Sequence, residues 1–322
     1  MKILVTGGAG YIGSTLVPLL LGEGHQVRVV DTLLHGGESL LGVWSHPDFE
    51  FIRGDLCDAA VAKNAVTGMS AVVHLAAVVG DPACARQPEI ARAVNLDASL
   101  RLIDASRRAG VQRFVFASTC SNYGKMKDPN SYVDETSELT PVSLYAQTKV
   151  AVEKALLQGG VTEDWCPTPL RFATIFGVSP RMRFDLTVNE FTMEMLTKKQ
   201  IQVFGEQFWR PYVHARDAAR AIRLVLTAPA DKVAGSVFNV GATDQNYQKQ
   251  QLVELILPYA PGAVVDYVHK TEDPRDYRVS FALIANQLGF QITRTVPQGI
   301  AEVASLVKNG LIQNFADGKY RN

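Results

Sequence analysis

Short apolar runs alternate with longer segments of helical periodicity along the first half of the chain. The runs at 3–5, 71–73 and 114–116 are continuously apolar, which is typical of parallel strands buried on both faces. Between such runs, apolar residues recur every three or four positions, as in 14–21 and 89–109, and this spacing predicts amphipathic helices. The alternation of strand and helix predicts an α/β fold built on a doubly wound parallel sheet.

A glycine-rich turn follows the first apolar run at once. Gly7, Gly10 and Gly13 lie between the first predicted strand and the first predicted helix. At these positions glycine permits the tight turn, the approach of a pyrophosphate to the backbone, and the close packing of helix on strand. The second predicted strand ends at Asp31, where a carboxylate accepts hydrogen bonds from an adenosine ribose. The pattern predicts a dinucleotide site in a Rossmann-type fold.

The segments that follow refine the predicted cofactor site. Residues 32–39 contain no Arg or Lys, whereas an NADP enzyme needs a cation there for the 2′-phosphate, so we predict NAD. Asp55 ends the third strand, where it is placed near the adenine amino group; it could also cap a helix from Cys57 onward, and the two roles are compatible. The small residues after the fourth strand, at 75–77, leave room for the middle of the cofactor. His74, within that apolar run, is predicted to be a core histidine.

Composition limits the possible functions. The 322 residues suffice for two lobes, given roughly 100–200 residues per domain. Lys+Arg and Asp+Glu are both 32, which argues against nucleic acid or an anionic membrane as a partner. No apolar run approaches the roughly 20 residues needed to span a bilayer, and the first strand leaves no room for a signal peptide. The four cysteines have no metal-ligand spacing, so we predict free thiols, no metal site and a cytoplasmic location.

The fifth predicted strand, 113–118, delivers a cluster of small polar residues to the edge of the sheet. Ligands of open parallel sheets bind outside the carboxyl ends of the strands. The strand is followed there by Thr119, Cys120 and Ser121. Chemistry is therefore expected at this point of the sheet.

A Tyr-Lys pair follows on a predicted helix over 143–157. Tyr145 and Lys149 are four residues apart, so their side chains share one helix face. A phenol has a pKa near 10, which an adjacent ammonium and an oxidised nicotinamide would lower. The phenolate could then take a proton from a sugar hydroxyl while hydride leaves the carbon.

These motifs together resemble an extended short-chain dehydrogenase/reductase of the nucleotide-sugar epimerase/dehydratase group. The resemblance covers essentially the whole chain and rests on Gly7, Gly10, Gly13, Asp31, Thr119, Tyr145 and Lys149. It implies a nucleoside-diphosphate sugar as substrate, with Thr119, Tyr145 and Lys149 as the catalytic residues. It also implies a homodimer that pairs the helices bearing Tyr145 and residues 96–103.

One departure from the group bears on the reaction. Sugar 4,6-dehydratases of the group carry Asp-Glu directly after the catalytic Thr, and this chain has Cys120 and Ser121 there. A hydroxyl is a weak base and an unactivated thiol is mostly protonated at neutral pH. We therefore expect no 4,6-dehydration, which leaves dehydrogenation, epimerisation or reduction. All three involve hydride transfer at a carbinol carbon, expected to be C4.

The resemblance also supplies substrate contacts in the second half. Arg210 and Arg275 match the phosphate-binding arginines of the group, and guanidinium forks suit a pyrophosphate. Thr174 stands where the group has Asn. Within 179–189, Arg181 and Arg183 either bind substrate or are solvated side chains. This run together with 273–277 looks most similar to the GDP-heptose 4-dehydrogenases.

The predicted site has two parts. The cofactor contacts are Gly7, Gly10, Tyr11, Ile12, Gly13, Asp31, Asp55, Leu56, Leu75, Ala76, Ala77, Ser118, Tyr145 and Lys149. The substrate contacts are Thr119, Cys120, Ser121, Thr174, Arg181, Asn189, Arg210 and Arg275.

The lobes are predicted to interleave. Residues 1–178 form the NAD-binding domain, to which 212–242 return, and 179–211 with 243–322 form the sugar-nucleotide lobe. The leading prediction is an NAD-dependent dehydrogenase or epimerase acting at C4. The alternatives are a 4-keto-sugar reductase, which runs the same residues backwards, and a non-catalytic dinucleotide-binding regulator.

Overall fold

A large parallel sheet and a smaller lobe make up the computed structural model, which describes residues 1–126, 128, 131–273 and 275–322. The strands are β1 (Lys2–Thr6), β2 (Gln26–Asp31), β3 (Phe49–Arg53), β4 (Ala71–His74), β5 (Arg113–Thr119), β6 (Cys166–Phe172), β7 (Thr174–Phe176), β8 (Gln200–Phe204), β9 (Trp209–His214), β10 (Phe238–Val240), β11 (Asn246–Gln248) and β12 (Val264–Val268). The large sheet has the order β10-β6-β5-β4-β1-β2-β3, and its pairings are all parallel. The predicted doubly wound Rossmann-type fold is confirmed.

Helices cover both faces of this sheet. The helices are α1 (Gly13–Gly22), α2 (Ala59–Val66), α3 (Asp81–Arg86), α4 (Pro88–Arg92), α5 (Ala98–Arg108), α6 (Leu144–Gln158), α7 (Thr187–Thr197), α8 (Ala215–Thr227), α9 (Ala230–Val233), α10 (Lys249–Ile256), α11 (Ala282–Leu288) and α12 (Val296–Lys308). Successive strand residues serve opposite faces. Ile3 and Val5 join the core beneath α1 and α8, whereas Leu4 joins the core with α2 and α5. This burial on both faces explains the continuous apolar runs.

The predicted helix over 89–109 is divided in the structure. It consists of α4, a π-helical turn at Ala93–Asp97, and α5. Asn95 in this turn is fully buried, and its side-chain amide exchanges hydrogen bonds with the backbone of Val78. An inward-facing amide with fixed partners accounts for the local widening, because π-bulges form where the helical hydrogen-bond ladder is interrupted.

The predicted strand over 169–177 is also two strands. β6 lies in the large sheet, whereas β7 pairs with β9 in the sheet β11-β9-β7. Between them, the N–H of Ala173 donates to the carbonyl of Val240, so the chain changes sheets there. A second small sheet pairs β12 with β8.

The two lobes interleave in sequence. β10 returns to the edge of the large sheet, and α8 packs on α1. Tyr11 ties the lobes together, since its hydroxyl donates to the carbonyl of Gly177 and accepts from Asn189 at 3.0 Å. The predicted domain boundaries stay a prediction. Residues 212–214, the start of the predicted return to the NAD-binding domain, belong to β9, which lies in the smaller sheet.

Two kinds of feature are absent from the described residues. No helix there combines the length and hydropathy needed to cross a membrane. No group of three or more His, Cys, Asp or Glu side chains is arranged to hold a metal ion in that part of the chain. The thiols of Cys57, Cys84, Cys120 and Cys166 are free.

Candidate active site

The glycine turn leaves no space for side chains. Gly7 has φ +71°, and a Cβ there would lie 2.8 Å from the amide nitrogen of Ala76. A Cβ on Gly13 would lie 2.4 Å from the carbonyl oxygen of Gly7. Asp31 holds the turn, because its carboxylate accepts from the N–H of Ala9 at 3.0 Å and of Leu33 at 2.9 Å. This cradle at the N-terminus of α1 fits the phosphates of a dinucleotide.

The other predicted cofactor contacts follow the third and fourth strands. Asp55 is exposed and its carboxylate accepts from the N–H of Cys57 at 2.8 Å, while Asp58 caps α2. Asp55 therefore bonds the backbone of Cys57, as the predicted cap would, but the residue that caps α2 itself is Asp58. Leu56 is buried and 75–77 are half-buried after β4.

His74 is a core histidine, as predicted. Its ring nitrogens lie 2.7 Å from the hydroxyl of Thr6 and 2.9 Å from that of Ser99. Burial lowers the pKa of His74 to about 3. The ring is therefore neutral at pH 7 and links β4 to its neighbours.

Tyr145 and Lys149 lie on one face of α6 next to the end of β5. Ser143 caps this helix, accepting from the N–H of Ala146 at 3.2 Å. The ammonium of Lys149 is buried, donates to the carbonyl of Ala117 at 2.8 Å, and lies 5.9 Å from the centre of the Tyr145 ring. This hydrogen bond fixes the Tyr-Lys face of the helix to the strand that ends at Thr119.

The acidities of the pair differ from the sequence expectation. Burial raises the pKa of Tyr145 above its usual 10, with smaller contributions from Cys84 and Asp81 that act in the same direction. Burial also lowers the pKa of Lys149 to about 8. The lowering of the Tyr145 pKa that the sequence led us to expect is thus outweighed by desolvation of the phenolate.

Thr119, Cys120 and Ser121, at the carboxyl end of β5, differ in the direction of their side chains. The Thr119 hydroxyl accepts from the N–H of Ser121 at 3.1 Å, which leaves its own proton available to a ligand. Ser121 is half-buried, 3.4 Å from the hydroxyl of Tyr277. Cys120 is 1% exposed, and its thiol donates to the carbonyl of Arg171 at 3.2 Å. Cys120 therefore faces the core, which corrects its assignment as a substrate contact.

Ser118 belongs to a buried ionic network rather than to an open cleft. Its hydroxyl donates to Glu153, which also accepts from Asn122 at 2.8 Å. Glu153 and Arg171 form a fully buried ion pair at 2.8 Å. Sequence reasoning missed this pair, although Glu153 lies one turn beyond Lys149 on the same helix face and Arg171 interrupts an apolar strand.

The two arginines matched to phosphate binding are brought together. Arg210 pairs with Asp273 at 2.7 Å and donates to the carbonyl of Arg275. Arg275 pairs with Asp81 at 2.7 Å. The other carboxylate oxygen of Asp81 accepts from the hydroxyl of Ser143 at 2.6 Å. Asp81, which no sequence motif indicated, thus links the phosphate arginines to the N-terminus of α6.

Arg181 and Arg183 are not solvated. Both are 7% exposed, so the alternative interpretation of the pair is wrong. Arg183 forms a two-pronged pair with Asp185, at 2.9 and 2.7 Å.

Asn189 and Thr174 differ in what the structure shows of them. The side chain of Asn189 bonds the N–H of Gly177 at 2.9 Å, the hydroxyl of Tyr11 and the carbonyl of Arg183. Its amide is saturated and fully buried, so the structure gives it no free group for substrate. Thr174 begins β7 and is half-buried opposite Tyr212 of β9.

Comparisons with known proteins agree with this geometry. The family model of the NAD dependent epimerase/dehydratase family matches residues 3–241. A dTDP-glucose 4,6-dehydratase of Streptomyces niveus is 31% identical, over 94% of this chain and 91% of that protein. A UDP-glucose 4-epimerase of Corynebacterium glutamicum is 29% identical over 79% of each chain. The solved dTDP-glucose 4,6-dehydratase DesIV of Streptomyces venezuelae, which contains NAD, superposes with a TM-score of 0.85 at 26% identity, covering 96% of this chain and 98% of that one.

These relatives correct one expectation. The exclusion of 4,6-dehydration is contradicted by relatives named as 4,6-dehydratases that match nearly the whole chain. The exclusion depended on the side chains of Cys120 and Ser121. Since Cys120 faces the core, its identity says little about the chemistry in the cleft.

Proposed function

Since the chain belongs to the NAD dependent epimerase/dehydratase family, we propose that it oxidises C4 of a nucleoside-diphosphate sugar with NAD. This oxidation opens either a 4,6-dehydration or a 4-epimerisation, the two activities named among its relatives. The observation that supports it best is the position of the Tyr145–Lys149 face of α6. The hydrogen bond from Lys149 to the carbonyl of Ala117 holds this face at the end of β5, next to Thr119. The proposed substrate follows from the family and from the paired arginines.

The cofactor site is proposed from the cradle. The N–H groups of Tyr11 and Ile12 at the start of α1 would hold the phosphates, and Asp31 would accept from the adenosine ribose. Lys149 would bind the nicotinamide ribose. When bound, the oxidised nicotinamide supplies a hydride acceptor and a positive charge.

The residues of the chain supply the proton chemistry. Tyr145 would take the proton of the C4 hydroxyl. Desolvation raises its pKa in the protein alone, so the phenolate would form when the positive charge of the bound nicotinamide adds to that of the Lys149 ammonium on the same helix face. Thr119 would donate a hydrogen bond to the C4 oxygen, since its hydroxyl already accepts from Ser121. Arg210 and Arg275 would bind the diphosphate.

Deuterium at C4 of the substrate tests this function. We expect that incubation of dTDP-[4-²H]glucose or UDP-[4-²H]glucose with the pure enzyme transfers the label to the cofactor and returns it to the sugar at a changed carbon or a changed face. Mass spectrometry and NMR distinguish the outcomes: label at C6 of a 4-keto-6-deoxy product indicates dehydration, and label at an inverted C4 indicates epimerisation. A label that stays at an unchanged C4, with every sugar nucleotide tried, would refute hydride transfer.

Replacement of Asp81 is expected to strengthen substrate binding. Asp81→Asn keeps an acceptor for Ser143 but removes the carboxylate that occupies Arg275. Because a partly exposed ion pair contributes about 0.2–1 kcal/mol, we expect KM for the sugar nucleotide to fall about two- to fivefold, with kcat little changed. Steady-state kinetics measure this, with the surface variant Asp104→Asn as a control. A raised KM would mean that Asp81 positions Arg275 for the substrate.

We propose a homodimer, the assembly that the resemblance to the group implies. Leu100 on α5 is 37% exposed and Ile90 on α4 is 51% exposed, so this face carries apolar side chains that a second copy could cover. Sedimentation equilibrium of the wild type and of Leu100→Glu tests the proposal, and a monomeric wild type would refute it.

A further inference from the structure

A small cavity of about 80 Å³ lies beside the glycine turn, where the two lobes meet. His35, Glu38 and Ser39, from the segment after β2, line one side. Arg181 and Lys319, from the second lobe, line the other. The hydroxyl of Ser39 donates to the carbonyl of Ala9 at 2.8 Å, so the cavity adjoins the cradle.

Arg181 is anchored directly over the start of α1. Its backbone N–H donates to the hydroxyl of Ser14, the second residue of that helix, at 3.3 Å. The hydroxyl of Ser179, two residues earlier, donates to the carbonyl of Tyr11 at 2.7 Å. These bonds hold the segment that carries Arg181 against the helix end that fits phosphate.

The guanidinium of Arg181 has unused donors. One terminal nitrogen donates to the carbonyl of Arg321 and to the side chain of Asn322, both at 3.0 Å. Its Nε is buried and has no hydrogen-bond partner. Among the described residues, no carboxylate forms an ion pair with Arg181, in contrast to Arg183, which is paired with Asp185. A buried cation with an unmet donor is costly unless an anion binds it.

We infer that Arg181 is a cofactor-binding residue whose guanidinium binds the diphosphate of the dinucleotide at the glycine turn. The sequence analysis placed Arg181 at the sugar nucleotide; in this inference it acts at the cofactor instead. The segment 32–39 lacks a cation, and the second lobe supplies one. The inference rests on the NAD site of the proposed function and not on the sugar chemistry, so a failed sugar-nucleotide assay leaves it intact.

Titration of NADH, followed by its fluorescence, tests the inference. We expect Arg181→Gln to raise the Kd for NADH at least tenfold, and Arg181→Lys to raise it less, because an ammonium keeps the charge but loses the fork. The Kd for UDP or dTDP alone should stay within twofold of the wild type. Arg108→Gln, at a 79% exposed position, is the matched control.

Two further measurements separate binding from a structural role. Asn322→Ala removes one partner of Arg181 but leaves the guanidinium, and we expect its Kd for NADH to stay within twofold. If Asn322→Ala and Arg181→Gln weaken NADH binding equally, the inference is wrong and the role of Arg181 is to anchor the segment 321–322. Arg181→Gln with an unchanged Kd for NADH, or with weakened UDP binding instead, would also overturn it. The second measurement compares the Kd values for NADPH and NADH. If the wild type binds NADPH more tightly and Arg181→Gln removes this preference, Arg181 binds the 2′-phosphate rather than the diphosphate, and the inference is wrong.

Discussion

Tyr145→Phe is expected to lower kcat by about 10²–10⁴-fold, the range typical of lost general acid–base catalysis. The substitution removes only the hydroxyl, so the packing of α6 and the position of Lys149 should be preserved. NADH binding and the melting temperature are therefore expected to match those of the wild type. Single-turnover reduction of NAD at saturating sugar nucleotide measures the chemical step. A loss smaller than tenfold would show that Tyr145 is not the base.

The pH dependence of the same step follows from the buried cation. Lys149 has a pKa lowered to about 8 by burial, so it loses its charge as the pH rises through that value. The ammonium that favours the phenolate is then gone, and we expect kcat/KM to fall above about pH 8. The pH profile of kcat/KM reports the free enzyme, so this limb should not depend on the substrate; in the profile of kcat, bound substrate that carries negative charge would move it to higher pH.

Glu153→Ala is expected to lower the free energy of unfolding by about 3–5 kcal/mol, because it leaves the guanidinium of Arg171 buried without a counter-charge. Both side chains are nearly inaccessible to water, at 3% and 6% exposed. Replacing both together, by Glu153→Met and Arg171→Met, should cost less than the single change, since no lone charge remains.

Urea denaturation followed by circular dichroism measures these differences. Asp104→Ala, which breaks the exposed pair with Arg108, is the control and should cost about 1 kcal/mol or less. If Glu153→Ala also costs less than about 1 kcal/mol, Arg171 must reach water or another acceptor.

The sequence predicts local elements well where one physical signal dominates. The apolar runs and the glycine turn locate the strands of the large sheet and the cradle, because burial on both faces and the absence of Cβ atoms leave direct traces in residue type. The Tyr145–Lys149 spacing likewise predicts one helix face, which the structure confirms. The change of sheet after β6 leaves no such trace, since β6 and β7 are both apolar.

Side-chain direction and pairing were less predictable. The side chain of Cys120 turns to the core because the chain enters a 3₁₀ turn at this residue, and its residue type is compatible with either environment. The burial of Arg181 depends on contacts with residues 321 and 322, some 140 positions away along the chain. The partner of Arg275 is similarly remote, since Asp81 lies in the other lobe.

The hydrogen bonds of Tyr11 have a consequence for engineering the protein. Tyr11 lies just before α1, and its hydroxyl bonds both the carbonyl of Gly177 and the side chain of Asn189. β10 completes the large sheet only after the chain has built β7, β8 and β9. A truncation after 178 would therefore expose the edge of β6 and leave polar groups without partners. To exchange the substrate lobe with that of a relative, two separate segments must be transplanted. The partners of Tyr11 and the pairing of β10 with β6 must be kept in both.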